Sequence, residues 1–221
     1  MPKPIIIFGA GEQAEIAAFY FKHDSDCDVV AFTIDSDRIT EDHFAGKPVV
    51  PFEDIAASHE PKEFDLFVAV GYSRLNDLRA EKCAESEAKG YTLPSYVSSK
   101  ATIFQDFSCG PNCFILEDNT VQPFVKIGRG VTLWSGNHIG HRCSIGDYAF
   151  VSSHVVISGG VTVGVNSFLG VNSAINDHIT IGARCFVGSG TTVVKSIPDE
   201  TVITSDPGKI AKIPSSRLRI F

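Results

Sequence analysis

A histidine beside an open backbone amide can do acyl chemistry, and this chain offers the pair by its spacing. His138 and His141 flank Ile139 in the run Asn137-His138-Ile139-Gly140-His141-Arg142, and Gly159 follows His141 by eighteen residues. If eighteen residues make one coil of a stacked solenoid, Gly159 lies one strand spacing, ~4.8 Å, from His141. The imidazole would take the proton of an attacking amine or hydroxyl. The glycine N–H, with no side chain over it, would hold the acyl oxygen as charge develops there. The alternative is an ordinary surface histidine. A second constellation lies at the N-terminus, where Gly9-x-Gly11-x-x-Ala14 is a shortened nucleotide-binding turn. Amides at such a helix start suit a phosphate, although two glycines also serve a plain tight turn. Asp35, with Asp37 beyond it, stands where a ribose-binding carboxylate would sit, or is a solvated loop acid.

The solenoid that gives these positions their meaning is written in the repeat. An apolar residue recurs at every sixth position: Ile103, Cys109, Ile115, Val121, Ile127, Leu133, Ile139, Ile145, and onward through Ile157, Leu169 and Ile181 to Val193. A period of six fits neither an α-helix nor an alternating strand; it fits a hexapeptide β-helix whose turns stack. Three hexads make a coil, and the apolar series points inward. A second inward position, four residues later, carries mostly small side chains such as Cys113, Cys143, Ala149, Ser167, Ser173 and Cys185. Glycine follows the apolar residue at Gly110, Gly128, Gly140, Gly146, Gly164, Gly170, Gly182 and Gly188. These are expected at corners, where glycine supplies unusual backbone angles. Trp134 follows an inward leucine and is expected to face outward, into a subunit interface in preference to a substrate base.

Composition changes near residue 100. Before it, strands are expected over 4–8, 28–34 and 64–70, alternating with helices over 12–22 and 75–89, the second closed by Gly90. This alternation argues a small, Rossmann-like parallel sheet. Arg74 and Arg79, just after the third strand, are within reach of a substrate diphosphate; Arg79 reads rather as an exposed helix residue. The expected organisation is 1–100 nucleotide-sugar-binding βαβ domain, 101–197 β-helix, and 198–221 tail.

A net charge of −7 gives nucleic acid no electrostatic footprint. No run of eighteen apolar residues suggests a membrane span, and 1–4 lacks a basic region leading into a signal-like stretch. A cytoplasmic protein is expected. The four cysteines at inward positions read as small core residues, and Cys27 and Cys83 are isolated, so neither a disulfide framework nor a zinc motif is suggested. Hexapeptide carbonic anhydrases use histidines for zinc on a similar solenoid. They need two of them five apart, whereas His138 and His141 are three apart and point differently, so no metal is expected.

The glycine turn after the first strand, Gly71-Tyr72-Ser73-Arg74 after the third, and the uninterrupted hexapeptide repeat together resemble bacterial sugar acyltransferases of the sialic acid O-acetyltransferase (NeuD) type. That group includes N-acetyltransferases for nucleotide-linked amino sugars. The resemblance covers nearly the whole chain. It implies a left-handed β-helix, a homotrimer, and acetyl-CoA lying in the groove between adjacent solenoids, with the nucleotide held by the N-terminal domain. On that pattern His141 matches the catalytic histidine, and Gly159 the amide facing the thioester. Gly9 to Gly11 match the phosphate-facing turn, Asp35 and Asp37 the base- or ribose-facing acids, and Gly71 and Arg74 belong to the substrate site. Two departures stand out. Arg142 replaces a glutamate that orients the histidine in the bacillosamine enzyme, leaving Asn137 or a neighbouring subunit to do so. The tail reads Ser205-Asp206-Pro207-Gly208-Lys209 in place of Gly-x-Pro-Ala-Lys, with Lys209 left to meet a coenzyme A phosphate. The function implied is N-acetylation of a nucleotide-linked amino sugar. Sugar O-acetylation, a non-catalytic nucleotide-binding scaffold, and a nicotinamide-dependent oxidoreductase (for which 100 residues are short) are the alternatives.

Overall fold

The computed structural model describes residues 2–104 and 106–208, with 213 and 217; Lys209 lies outside them. The chain begins with β1 (Ile5–Phe8), α1 (Glu12–Asp24) and β2 (Val29–Ile34), then a hairpin of β3 (His43–Phe44) and β4 (Lys47–Pro51). The short α2 (Ile55–Ser58), β5 (Asp65–Val68) and α3 (Asp77–Ala88) follow. The sheet order is β3-β4-β2-β1-β5, parallel except for the β3–β4 pair. β1 is buried on both faces, as a central parallel strand must be. Ile5 and Ile7 pack under Ala14, Ala17 and Phe21 of α1, while Ile6 and Phe8 face Ile55 and Cys83.

The hairpin is not anticipated by the sequence reading. Its turn at Ala45-Gly46 has positive φ at both residues, the twist-matched geometry of a two-residue hairpin, but alanine hides the usual signal. Helix α3 starts at Asp77, two residues later than expected. Arg74, Leu75 and Asn76 all take left-handed angles (φ 52°, 51° and 70°), so the apolar Leu75 precedes the helix instead of opening it.

From Tyr96 onward the chain winds a triangular prism. The first face stacks Tyr96–Val97, Phe114–Ile115, Thr132–Leu133, Phe150–Val151, Phe168–Leu169, Phe186–Val187 and Val202–Ile203. The second runs from Thr102–Ile103 through His138–Ile139 and Val156–Ile157 to Thr192–Val193, and the third from Lys126–Ile127 to Thr180–Ile181. All pairings are parallel, with partners eighteen residues apart, as Ile139 with Ile157, until the last rung, where Phe186 pairs with Val202 after sixteen. The apolar series fills the interior. Inward thiols and hydroxyls are not inert filler. Cys113 donates to Gly128 O (3.0 Å), Cys143 to Ser158 O (3.0 Å) and Ser167 to Gly182 O (2.8 Å), each satisfying a carbonyl inside the prism.

The corners differ from expectation. Left-handed angles recur every six residues from Asn112 through Asp118, Arg142, Tyr148 and His154 to Gly190, three places after the inward apolar residue. Asn, Asp, His and Gly are favoured there for their tolerance of αL. The glycines directly after the apolar residues have ordinary φ. They are demanded by space: a Cβ on Gly164 would lie 2.4 Å from Ala183 N, and one on Gly140 2.6 Å from Gly159 N.

The sheet domain lies on the first face. Phe114 packs among Tyr20, Phe67 and Tyr96, and Tyr72 lies against Phe150 and Phe168. Arg79 is neither exposed nor free for a diphosphate. It is 1% exposed and donates to Gly130 O (2.9 Å), Val70 O (3.1 Å), Gly71 O (2.8 Å) and Tyr148 O (2.7 Å). Asp77 at the start of α3 accepts from Arg184 (2.7 and 3.0 Å) and Asn166 (2.7 Å). Asn112 completes the free edge of β5, accepting from Val68 N and donating to Val68 O. No helix among the described residues is long and apolar enough to cross a membrane.

Candidate active site

His141 stands two residues beyond inward Ile139, on the edge between the second and third faces, and is exposed. Its backbone is pinned on both sides: its N–H donates to Gln122 Oε1 (2.8 Å) and its carbonyl accepts from Gly160 N (2.8 Å). The side chain leans toward the next rung. A Cβ built on Gly159 would come within 2.6 Å of His141 Nε2 and 2.7 Å of Cε1. The ring therefore occupies the space that glycine leaves open. Among the described residues nothing accepts from Gly159 N–H. Base and open amide share one exposed edge.

The neighbours of His141 turn elsewhere. Arg142 occupies a left-handed corner (φ 58°) and leans back to the preceding rung, its guanidinium 5.0 Å from the Phe124 ring centre. Asn137 is buried and donates to Trp134 O (2.5 Å) while accepting from Val155 N (2.7 Å), so it does not orient the imidazole. Two rungs beyond His141, His178 Nδ1 donates to Asp177 Oδ2 (3.0 Å), which holds the Asp177 carboxyl below its usual range.

A cleft of about 280 Å³ opens where the sheet domain meets the first face, lined by Glu12, Gln13, Tyr72, Trp134, Phe150 and Ser152 among others. Trp134 is half-buried and packs against the sheet domain's core, so it is a wall of this cleft. The sequence reading meets Tyr72 only inside the Gly71-to-Arg74 motif, with no role of its own, and does not single out Phe150. The available signal is phenylalanine at eighteen-residue spacing, Phe150, Phe168 and Phe186, just before the inward residue, with Phe114 two rungs earlier and Thr132 between. The cleft opens beside Ser153, on the edge between the first and second faces. His141 is on the next edge, separated by the whole second face.

Above the C-terminal ends of β1 and β5, Gly9 has φ +132° and could bear no Cβ, which would fall 3.0 Å from Ala69 O. Gly11, by contrast, has extended angles and nothing within 4 Å of its missing Cβ. It leaves open space before α1, whose first intrahelical bonds begin at Ala14 N and Glu15 N. Gly71 lies across from Gln13 and its carbonyl is taken by Arg79. Asp35 directly follows β2 and accepts from Lys82 Nζ (2.6 Å). Burial works to lower the Lys82 pKa, but bonds to Asp35 and Glu85 outweigh it and raise it. Asp37 is exposed in a single 3₁₀ turn. Arg74 pairs with Glu81 on its own segment. Ser205 to Gly208 are exposed.

A family model described as bacterial transferase hexapeptide (six repeats) matches residues 126–159. Curated proteins give no significant match. Among solved structures, PerB from Caulobacter crescentus, in complex with CoA and GDP-perosamine, is 24% identical over 96% of this chain and 98% of its own, with a TM-score of 0.81. The acetyltransferase domain of PglB from Neisseria gonorrhoeae, in complex with acetyl coenzyme A, is 23% identical over 95% and 99%, with a TM-score of 0.82. WeeI from Acinetobacter baumannii is 20% identical over 95% and 100%, with a TM-score of 0.77. The likeness runs nearly end to end, and it establishes the fold: a Rossmann-like sheet leading into a left-handed parallel β-helix of hexapeptide repeats.

Proposed function

We propose that this chain is an acetyl-CoA-dependent N-acetyltransferase acting on a nucleotide-linked amino sugar by direct transfer. The observation that carries it is the His141 imidazole lying over Gly159, whose N–H is open on an exposed edge. The residues fit a thioester: the base lies beside a backbone N–H that no acceptor among the described residues takes. The amine attacks the thioester carbon, and Gly159 N–H steadies the oxygen as it gains charge. His141 receives the amine's proton and passes it to the sulfur as the C–S bond breaks, so that coenzyme A leaves as the thiol. Two of the structures this fold resembles support the reading, one carrying CoA with GDP-perosamine and one acetyl coenzyme A.

The N-terminal turn at Gly9 and Gly11, with Asp35, Asp37, Gly71 and Arg74 nearby, is the side assigned to the nucleotide. Lys209, outside the described residues, is assigned to a coenzyme A phosphate. A cleft on one edge and a base on the next are compatible with a second copy closing the site, and the active form in this reading is the homotrimer that the resemblance implies, with sites between subunits. With neither Asn137 nor Arg142 bonded to the imidazole, the group that orients His141 also comes from a neighbour.

The direct test is thiol release from acetyl-CoA with a panel of nucleotide-linked amino sugars. One sugar should support turnover, and His141→Ala should lower kcat by at least about a hundredfold, a usual contribution for a general base. Turnover that survives this substitution removes His141 as the base. Turnover only with hydroxyl acceptors converts the reading to sugar O-acetylation.

A further inference from the structure

The same small ring closes at two corners of the solenoid. Tyr148 N donates to Arg129 O (2.7 Å), and Asp147, one residue earlier, accepts from Arg129 N through Oδ1 (3.0 Å). Glu200 N donates to Ala183 O (2.8 Å), and Asp199 accepts from Ala183 N (2.8 Å). In both, an aspartate one rung further along caps the outermost N–H of the rung before it. An Asp or Asn side chain at such a corner is built for this, being short enough to meet a local backbone donor.

Gly159 has the same frame. His178 N donates to Gly159 O (2.9 Å), and Asp177 stands one residue earlier, as Asp147 and Asp199 do. Yet the ring is open here. The Asp177 carboxylate accepts from His178 Nδ1 at 3.0 Å, and Gly159 N–H keeps no protein acceptor among the described residues. The two rings that close have Tyr148 and Glu200 where this one has His178, and neither of those donates to its aspartate.

We infer that His178 is a positioning residue: it draws the Asp177 carboxylate aside and so keeps Gly159 N–H open for the acyl oxygen. Asp177 is then the latent competitor for that amide. The inference rests on the proposed acyl transfer for its purpose, but its geometry is testable without turnover.

The test pairs hydrogen exchange at the Gly159 amide with acetyl-transfer kinetics in His178→Ala and His178→Ala/Asp177→Ala. In His178→Ala the carboxylate is expected to cap Gly159, slowing exchange at that amide at least about threefold and lowering kcat about tenfold or more, with KM for acetyl-CoA little changed. The double variant is expected to regain both fast exchange and most of the lost kcat, which no general loss of structure would do. Unchanged Gly159 exchange in His178→Ala overturns the inference, whatever the activity. A double variant as slow in turnover as His178→Ala overturns it too. Slowed exchange with unaltered kcat leaves the positioning intact and instead removes Gly159 as the oxyanion donor. If no acceptor supports turnover at all, acyl transfer fails while the exchange result still decides the role of His178.

Discussion

Arg79 shows how one side chain can join two folds. Among the described residues its guanidinium has no carboxylate partner; four carbonyl dipoles, from the end of β5's loop and from two rungs of the solenoid, share the charge. Burial lowers its pKa to about 10, still far above neutrality, so it stays charged. Arg79→Met would leave those carbonyls without a donor at the seam. It is expected to destabilise the chain by about 1–3 kcal/mol, the cost of leaving a buried acceptor unsatisfied, measured as a shift in the urea midpoint. A loss under about 1 kcal/mol would show that water replaces the guanidinium. In the sequence this residue reads as an exposed helix position, because α3 is amphipathic toward its own sheet and nothing local reveals a solenoid packed against its start. His141 and Gly159 are legible for the opposite reason: a strict eighteen-residue stacking makes two distant numbers neighbours. The roles of Asn137 and Arg142 are not legible, since each depends on where a side chain turns after the rung is built.

At the scale of elements, the junction of α1 with the first rungs depends on Asp24. Its carboxylate accepts from Tyr96 OH (2.6 Å), Ser98 OH (3.0 Å) and Ser99 N (2.9 Å), with a further bond from the Ser99 hydroxyl. Those bonds, Ser99 first, hold its pKa far below the ordinary carboxylate value. Since the folded pKa is depressed, the stabilisation is fully present above the unfolded value, about 3.9, and fades as pH falls below it toward the folded pKa. Asp24→Asn should therefore lower thermal stability at pH 7, and the gap from the parent should narrow steadily below pH ~4. A gap that is constant with pH would mean that the charge contributes nothing. Elements themselves are unevenly legible. The inward hexads announce the faces, because a prism core admits only one phase of the repeat. The true corners, from Asn112 to Gly190, escape notice because so many residue types fill them, Arg142, Tyr148 and Phe124 included. The β3–β4 hairpin escapes for want of a Gly at its first turn position.

At the scale of the molecule, the cleft and His141 sit on two different edges of one prism. If neighbouring copies bring them together, two defective chains can repair each other. Chains carrying His141→Ala mixed and refolded with chains carrying Gln13→Trp, which fills the cleft, are expected to regain about a quarter of the parent activity. Half the sites would receive an intact cleft, and half of those an intact base. Each variant alone should be inactive, and sedimentation should give three chains per particle. No recovery on mixing, with both variants still trimeric, would put the whole site within one subunit. The exposed edge itself runs from Gln122 past His141 and Gly159 to Asp177, one residue per rung in reach of a bound arm. Distance along it comes in fixed units: each added rung contributes ~4.8 Å, and through the regular coils each takes eighteen residues. The edge is thus a ruler with indivisible graduations. How far a thioester lies from the anchored end of its carrier is set by a whole number of coils, and no substitution of a side chain can adjust it.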